Sequence, residues 1–226
     1  VFMTYSGGWT GPGVIRVVDG RDGSNLLSLR DATYSMSGIG NLALADLDSD
    51  GKPEILAITQ DLRVIAFRND GSTMWVSERV PGSGPYGNQT WGGPSVADLD
   101  GDGVPEVLFG RCVFSADGRL LWTASGPYTG STYPGATTPS VPIAADLFGT
   151  GKQNLILGGS VYSSSGSLLW QAQDGFAAVA DLDSSGQPSI ALVQLGNLSV
   201  YSAAGQLRWS VPIPGGSGAW GWGGPP

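Results

Sequence analysis

Histidine is absent from this chain of 226 residues, and cysteine occurs once, at Cys112. The first absence removes histidine-centred triads, histidine general bases and histidine metal sites. The second removes any internal disulfide framework. Charge is scarce too, at 13% of residues, and it leans acidic: 11 Lys and Arg stand against 19 Asp and Glu, a formal net charge of −8. Such a chain is poorly equipped to neutralise phosphates, so a nucleic-acid partner is not expected. No run approaches 18 consecutive apolar residues, so no membrane span is expected either. The sequence starts at Val1 without a basic segment leading into an apolar one. The expectation is a leader already removed, or an excerpt of a longer chain.

What the sequence has in quantity is turn-forming residues, 37 Gly and 15 Pro, beside a hydrophobic fraction of 41%. That is the profile of a turn-rich all-β protein with enough apolar material to bury a core.

A repeat organises the chain. Asp46-Leu47, Asp98-Leu99, Asp146-Leu147 and Asp181-Leu182 each follow an Ala, and each opens a turn with Gly five residues on. A second marker tracks the first. Trp75, Trp122, Trp170 and Trp209 each sit four residues after a turn glycine (Gly71, Gly118, Gly166, Gly205), and Leu27 stands in the same place after Gly23. The first full unit reads as strands at 42–45, 54–59, 63–67 and 73–77, rich in Ile, Leu, Val and Phe. Four strands repeating at roughly 40–50 residues is the signature of propeller blades. The expected fold is an all-β propeller of four-stranded antiparallel blades, with four complete repeats and a split or incomplete blade formed from the two ends. Residues 1–226 are expected to be a single propeller domain, or a fragment of a larger one. The units are about 1–38 (partial), 39–80, 91–125, 139–173 and 176–211, with 212–226 starting a next blade. Two readings stay open: a window from a propeller of six to eight blades, which is favoured, and a five-bladed ring closed by both ends. The four tryptophans are expected to pack between the outer strands of adjacent blades.

The acidic turns carry the chemistry. In residues 46–54, Asp46, Asp48, Asp50 and Glu54 place oxygens at positions 1, 3, 5 and 9, with the backbone carbonyl of Lys52 at position 7. Residues 98–106 repeat this with Asp98, Asp100, Asp102, Glu106 and the carbonyl of Val104. Alternate residues of a tight loop aim carboxylates inward, and Ca²⁺ takes six to eight oxygens. Gly51 and Gly103 at position 6 permit the turn. Ala57 occupies the place of an EF-hand's bidentate Glu, and a strand follows, so this is a calcium loop in a β-hairpin. Two sites are expected. A third, weaker one would use Asp181, Asp183 and Ser185. The turn at Asp146 has Phe148 at position 3 and is expected to fold without metal.

These residues resemble the FG-GAP/VCBS repeat family, found in integrin α-subunit propellers and in secreted bacterial proteins. The resemblance rests on the two loops, on Gly92-Gly93-Pro94-Ser95-Val96-Ala97, and on Phe109-Gly110 with Val113-Phe114. It implies a propeller whose calcium loops join the first and second strands of each blade. The family has Asp or Asn at position 9, where Glu54 and Glu106 stand here. The unit ends, such as residues 117–122, also look like the last hairpin of quinoprotein-type repeats.

The expected function is that of a non-enzymatic, calcium-stabilised, secreted or cell-surface propeller for adhesion or assembly. Its partner would be a protein or a surface glycan, with self-association through the incomplete blade as a further route. One alternative is a lectin using aromatic connectors, with Tyr86, Trp91, Tyr128, Tyr133 and Trp220 as candidate ligand-binding residues. Another is the accessory propeller of a polysaccharide-degrading enzyme. Asn88 and Asn197 lie in glycosylation sequons. No catalytic residue is expected.

Overall fold

The computed structural model describes residues 1–5, 12–38, 40–80, 92–126 and 141–215. Among them are twenty short strands and no helix, arranged as five antiparallel sheets in chain order. Four sheets are complete four-stranded meanders. The first contains β5 (Ala43–Ala45), β6 (Glu54–Ile58), β7 (Val64–Phe67) and β8 (Thr73–Val76). The next contains β9 (Ser95–Ala97), β10 (Glu106–Phe109), β11 (Cys112–Phe114) and β12 (Leu120–Thr123). Then come β13 (Ile143–Ala145), β14 (Asn154–Leu157), β15 (Ser160–Tyr162) and β16 (Leu168–Gln171). The last contains β17 (Phe176–Ala180), β18 (Ser189–Gln194), β19 (Asn197–Ser202) and β20 (Leu207–Pro212).

The N-terminal sheet differs. Its strands are β1 (Phe2–Tyr5), β2 (Pro12–Val18), β3 (Asn25–Leu29) and the two-residue β4 (Met36–Ser37). β1 and β3 flank β2, and β4 pairs with Pro12 and Gly13 of β2, beyond the point where Leu29 faces Ile15. β3 and β4 therefore act as one interrupted outer strand. The sheet has no counterpart of β5, β9, β13 or β17 among the described residues. Among the described residues the row of five sheets is not closed.

Strand periodicity explains the stacking. Along β6 and β7, Leu56, Ile58, Val64 and Ala66 pack against Val107, Phe109, Cys112 and Phe114 of the following sheet. The alternate residues Ile55, Ala57, Ile65 and Phe67 pack against Ile15, Leu29 and Met36 of the preceding one. Successive strand residues point to opposite faces, and here both faces are buried. The same partition recurs onward: Leu108 and Val113 meet Leu155, Leu157 and Tyr162, while Ile156 and Val161 meet Ile190. Middle strands buried on both sides are why the sequence reads as short apolar runs with so few charges. These are blades of a β-propeller.

The outer strands β8, β12 and β16 each hand an aromatic ring to the next blade. The Trp75 indole N–H donates to the Ala116 carbonyl at 2.9 Å, and Trp170 donates to that of Ala203 at 2.8 Å. Those carbonyls lie two residues before the turn glycines Gly118 and Gly205, and the rings lie on the glycines. A Cβ at Gly118 would come within 2.6 Å of Trp75; at Gly166, within 2.7 Å of Trp122; at Gly205, within 2.6 Å of Trp170. All three glycines have positive φ. The turn thus needs glycine for its backbone and for the ring that covers it. In the N-terminal sheet it is Leu29, not Leu27, that covers the next blade's turn: a Cβ at Gly71 would come within 2.8 Å of it.

Candidate metal centre

Each complete blade joins its first and second strands by the same turn, over residues 46–53, 98–105, 146–153 and 181–188. The aspartate at position 1 organises it. Asp46 accepts the backbone N–H groups of Asp50 at 3.1 Å and Gly51 at 2.9 Å. Asp98 accepts those of Gly101, Asp102 and Gly103; Asp146 those of Phe148, Thr150 and Gly151; Asp181 those of Ser185 and Gly186. Position 6 is a positive-φ glycine in all four. Position 4 is also left-handed, and there two turns use Gly101 and Gly149 while the others hold Ser49 and Ser184 at φ 61° and 57°. Sequence reading found the first requirement and missed the second, because serine does not advertise a left-handed backbone.

Position 9 has a role that was not legible as spacing. Glu54 and Glu106 open β6 and β10 and are only 1% and 8% exposed. One oxygen of each accepts the N–H of the position-2 leucine, Leu47 or Leu99, at 2.8 Å. Asn154 does the same for Leu147 at 3.3 Å. The residue clamps the turn onto the second strand, and Glu106 also brings an oxygen within 4.8 Å of those of Asp98 and Asp100.

One oxygen from each of Asp46, Asp48 and Asp50 lies within 4.8 Å of the others, and the same holds for Asp98, Asp100 and Glu106. Oxygens on opposite sides of a Ca²⁺ ion stand at most about 5 Å apart, so both clusters have the span of a cation shell. Burial pushes the Glu106 carboxyl above its ordinary range; the Leu99 N–H works against that, and the charges of Asp100, Asp102 and Asp98 push the same way as burial. Such a cluster could hold a metal ion. Lys52 Nζ stands 3.8 Å from Asp50 at the exposed rim, too far out to serve the interior.

The other two turns keep the scaffold and lose the charge. Asp146 is the one carboxylate of 146–154, held by backbone N–H groups rather than by Lys152, and those bonds hold it below the ordinary carboxylate range. In 181–189, Asp181 and Asp183 remain, but Asp183 pairs with Arg208 at 2.9 Å. Ser189 takes position 9, fully buried, with no hydrogen-bond partner for its hydroxyl.

Tyr86, Trp91, Tyr128, Tyr133, Trp220 and the sequon Asn88 lie outside the described residues. Asn197 begins β19 and donates to the Leu195 carbonyl at 3.2 Å. An open cavity of about 640 Å³ is lined by Val1, Phe2, Gly38, Gly40, Asn41, Leu42, Pro94 and Val141, without one ionisable side chain. No helix among the described residues is long and apolar enough to cross a membrane.

Residues 46–109 match the model of the FG-GAP-like repeat. The matched span contains both four-carboxylate loops, β6 to β8 of one blade and β9 and β10 of the next. No curated protein matches the chain. Among solved structures, the chain is similar to the biofilm matrix protein Bap1 of V. cholerae, at 24% identity and a TM-score of 0.77, over 96% of this chain and 36% of Bap1. It is also similar to the exotype rhamnogalacturonan lyase YesX, at 21% identity and 0.65, over 94% of this chain and 44% of that one. A europium-containing methanol dehydrogenase aligns at 14% and 0.55, over 89% and 49%. The chain spans under half the length of each. A matrix protein, a lyase and a dehydrogenase on one architecture mean that the likeness fixes the fold alone.

Proposed function

We propose that this chain is a calcium-stabilised, extracellular, non-enzymatic propeller that works in adhesion or assembly, engaging a protein or a glycan surface. The observation that carries the reading is the pair of loops at 46–54 and 98–106. Each carries four carboxylates, three of which come within 4.8 Å of one another, on a turn held by its own backbone N–H groups and by a buried glutamate. Asp46, Asp48, Asp50, Glu54 and the Lys52 carbonyl would hold one ion. Asp98, Asp100, Asp102, Glu106 and the Val104 carbonyl would hold a second. The ion would be structural: it would neutralise the loop and fix one edge of the blade. Sites of this kind bind with Kd about 10⁻⁴–10⁻³ M, which suits a protein outside the cell. The matrix role of Bap1, though drawn from a relative at low identity, supports assembly.

The lyase neighbours favour a second reading, an accessory propeller of a polysaccharide-degrading protein. The deciding experiment measures binding of the purified chain to matrix polysaccharide, glycan arrays and cell surfaces, in calcium and in chelator, together with cleavage of rhamnogalacturonan. Calcium-dependent binding without cleavage is expected. Cleavage by this chain alone, or the absence of binding to every surface, would overturn the reading.

A further inference from the structure

The third turn puts a different chemistry on the same backbone. Where the first two turns hold Asp at positions 3 and 5, residues 146–154 hold Phe148 and Thr150, with Lys152 at position 7. Phe148 is 47% exposed, although its neighbour Leu147 is fully buried. Apart from Phe2 and Trp209 it is the one exposed aromatic ring among the described residues. The turn does not require that ring, because what Asp146 accepts from Phe148 is its backbone N–H.

Phe148 and Lys152 line an open cavity of about 500 Å³, within the usual range of small-molecule sites. Its walls come from two adjacent complete blades, and reach Ser164 in the turn between β15 and β16 and Ala204 in the turn between β19 and β20. Leu169, 45% exposed, and Trp170 add apolar surface. Trp170 is already spent, covering Gly205 and donating to the Ala203 carbonyl, so Phe148 is the ring left to meet a ligand. In a chain with 19 acidic and 11 basic residues, no Asp or Glu lines this cavity, and Lys152 is its one charge. Lys152 forms no ion pair among the described residues, and Asp146 of the same turn is held by three backbone N–H groups. The side chains of Gln153 and Ser164 also have no hydrogen-bond partner among the described residues.

We propose that this cavity binds a uronic acid residue of an acidic polysaccharide. The C–H face of the sugar lies on Phe148, whose ring face is negative where sugar hydrogens are slightly positive. Lys152 pairs with the carboxylate, and Gln153 and Ser164, each able to donate and to accept, take the ring hydroxyls. A neutral sugar leaves the ammonium without a partner, and an acidic peptide supplies the charge without the hydroxyls. The inference rests on the glycan side of the adhesion reading and names its ligand class.

The probe is trigalacturonate, too short to gel with calcium, beside its uncharged methyl ester. Each is titrated into the 226-residue chain in millimolar calcium and followed by two-dimensional NMR. The Trp170 indole N–H, the Gln153 side-chain amide and the Phe148 backbone N–H should shift. The acid should bind about three- to tenfold more tightly than the ester. Lys152→Gln should erase that preference and leave the ester's affinity as it was. Phe148→Ser should weaken acid and ester alike, by about three- to tenfold, and Phe148→Tyr, which keeps a ring, should bind like wild type. Both side chains are exposed, so the variants should melt with wild type. Shifts confined to 46–54 and 98–106, as from acid held on calcium there, overturn the proposal. So do a preference that survives Lys152→Gln, and hexaglutamate binding at the cavity more tightly than the trimer. A chain that ignores the trimer yet binds a surface in calcium ends this inference and leaves the adhesion reading standing; one that binds the trimer at this cavity but no surface does the reverse.

Discussion

The turns at 46–54 and 98–106 hold four carboxylates each; the one at 146–154 holds one and that at 181–189 two. All four nevertheless have the same backbone. In each, an aspartate at position 1 gathers N–H groups from the turn, and a left-handed glycine stands at position 6. The difference teaches that the turn does not depend on an ion to exist. Backbone donors shape it, and extra carboxylates are additions that cost repulsion unless something positive joins them. A turn without those carboxylates shows what the backbone alone requires, and the extra ones in its neighbours are what could hold a cation.

The comparison breaks most visibly on chelation. With millimolar calcium and a Kd near 10⁻⁴ M, each of the two proposed sites would add about 1–2 kcal/mol to the folded state. Removing both should lower the melting temperature by roughly 5–10 °C. Scanning calorimetry with and without chelator measures it, and unchanged melting with no metal by elemental analysis would end the calcium assignment. Next in size is position 9. Glu54→Ala leaves the buried Leu47 N–H without its acceptor and should cost about 1–3 kcal/mol even in chelator. Glu54→Gln keeps an acceptor and should lose mainly the calcium-dependent part. Equal losses for the two variants in chelator would show that the Leu47 bond is not what Glu54 contributes. Smaller again is position 3. Asp48→Asn should remove about one site's calcium increment, roughly 1–2 kcal/mol, and leave the chelated melting point where it was. Phe148→Ser, at the same position of the third turn, should show no calcium dependence in its effect.

Much of this was legible in the sequence because the repeat writes the same residue at the same structural place. Asp46, Asp98, Asp146 and Asp181 announced the turns, and the Gly-to-Trp spacing announced the outer hairpins. The strands at 54–59 and 63–67 are found at Glu54–Ile58 and Val64–Phe67, since runs buried on both faces leave little choice of boundary. Legibility failed where a contact joins residues that no spacing relates. Glu54 reads as a ligand by its type, yet half of it is spent on the Leu47 N–H. Arg208 lies 25 residues from Asp183 and gives no sign of the pair they form. Leu29 in place of Leu27 follows from how two sheets approach, which only three dimensions fix.

Arg208 supplies the finest test of the contrast. In the fourth turn, Asp181 and Asp183 keep positions 1 and 3 and Ser185 offers a hydroxyl at 5, so the ligand set falls short of the first two turns chiefly in charge. What charge remains is partly claimed: the Ser185 hydroxyl and N–H and the Arg208 guanidinium all hold the Asp183 carboxyl below its ordinary range. A divalent ion there must compete with a cation already delivered by β20. Arg208→Ala removes the competitor without touching a ligand. A calcium titration should then show a weak third event that wild type lacks, and Arg208→Ala combined with Asp183→Asn should abolish it. If the stoichiometry is the same in all three proteins, the pair at 2.9 Å is not what keeps this turn from binding, and the missing carboxylates at positions 5 and 9 are sufficient reason by themselves.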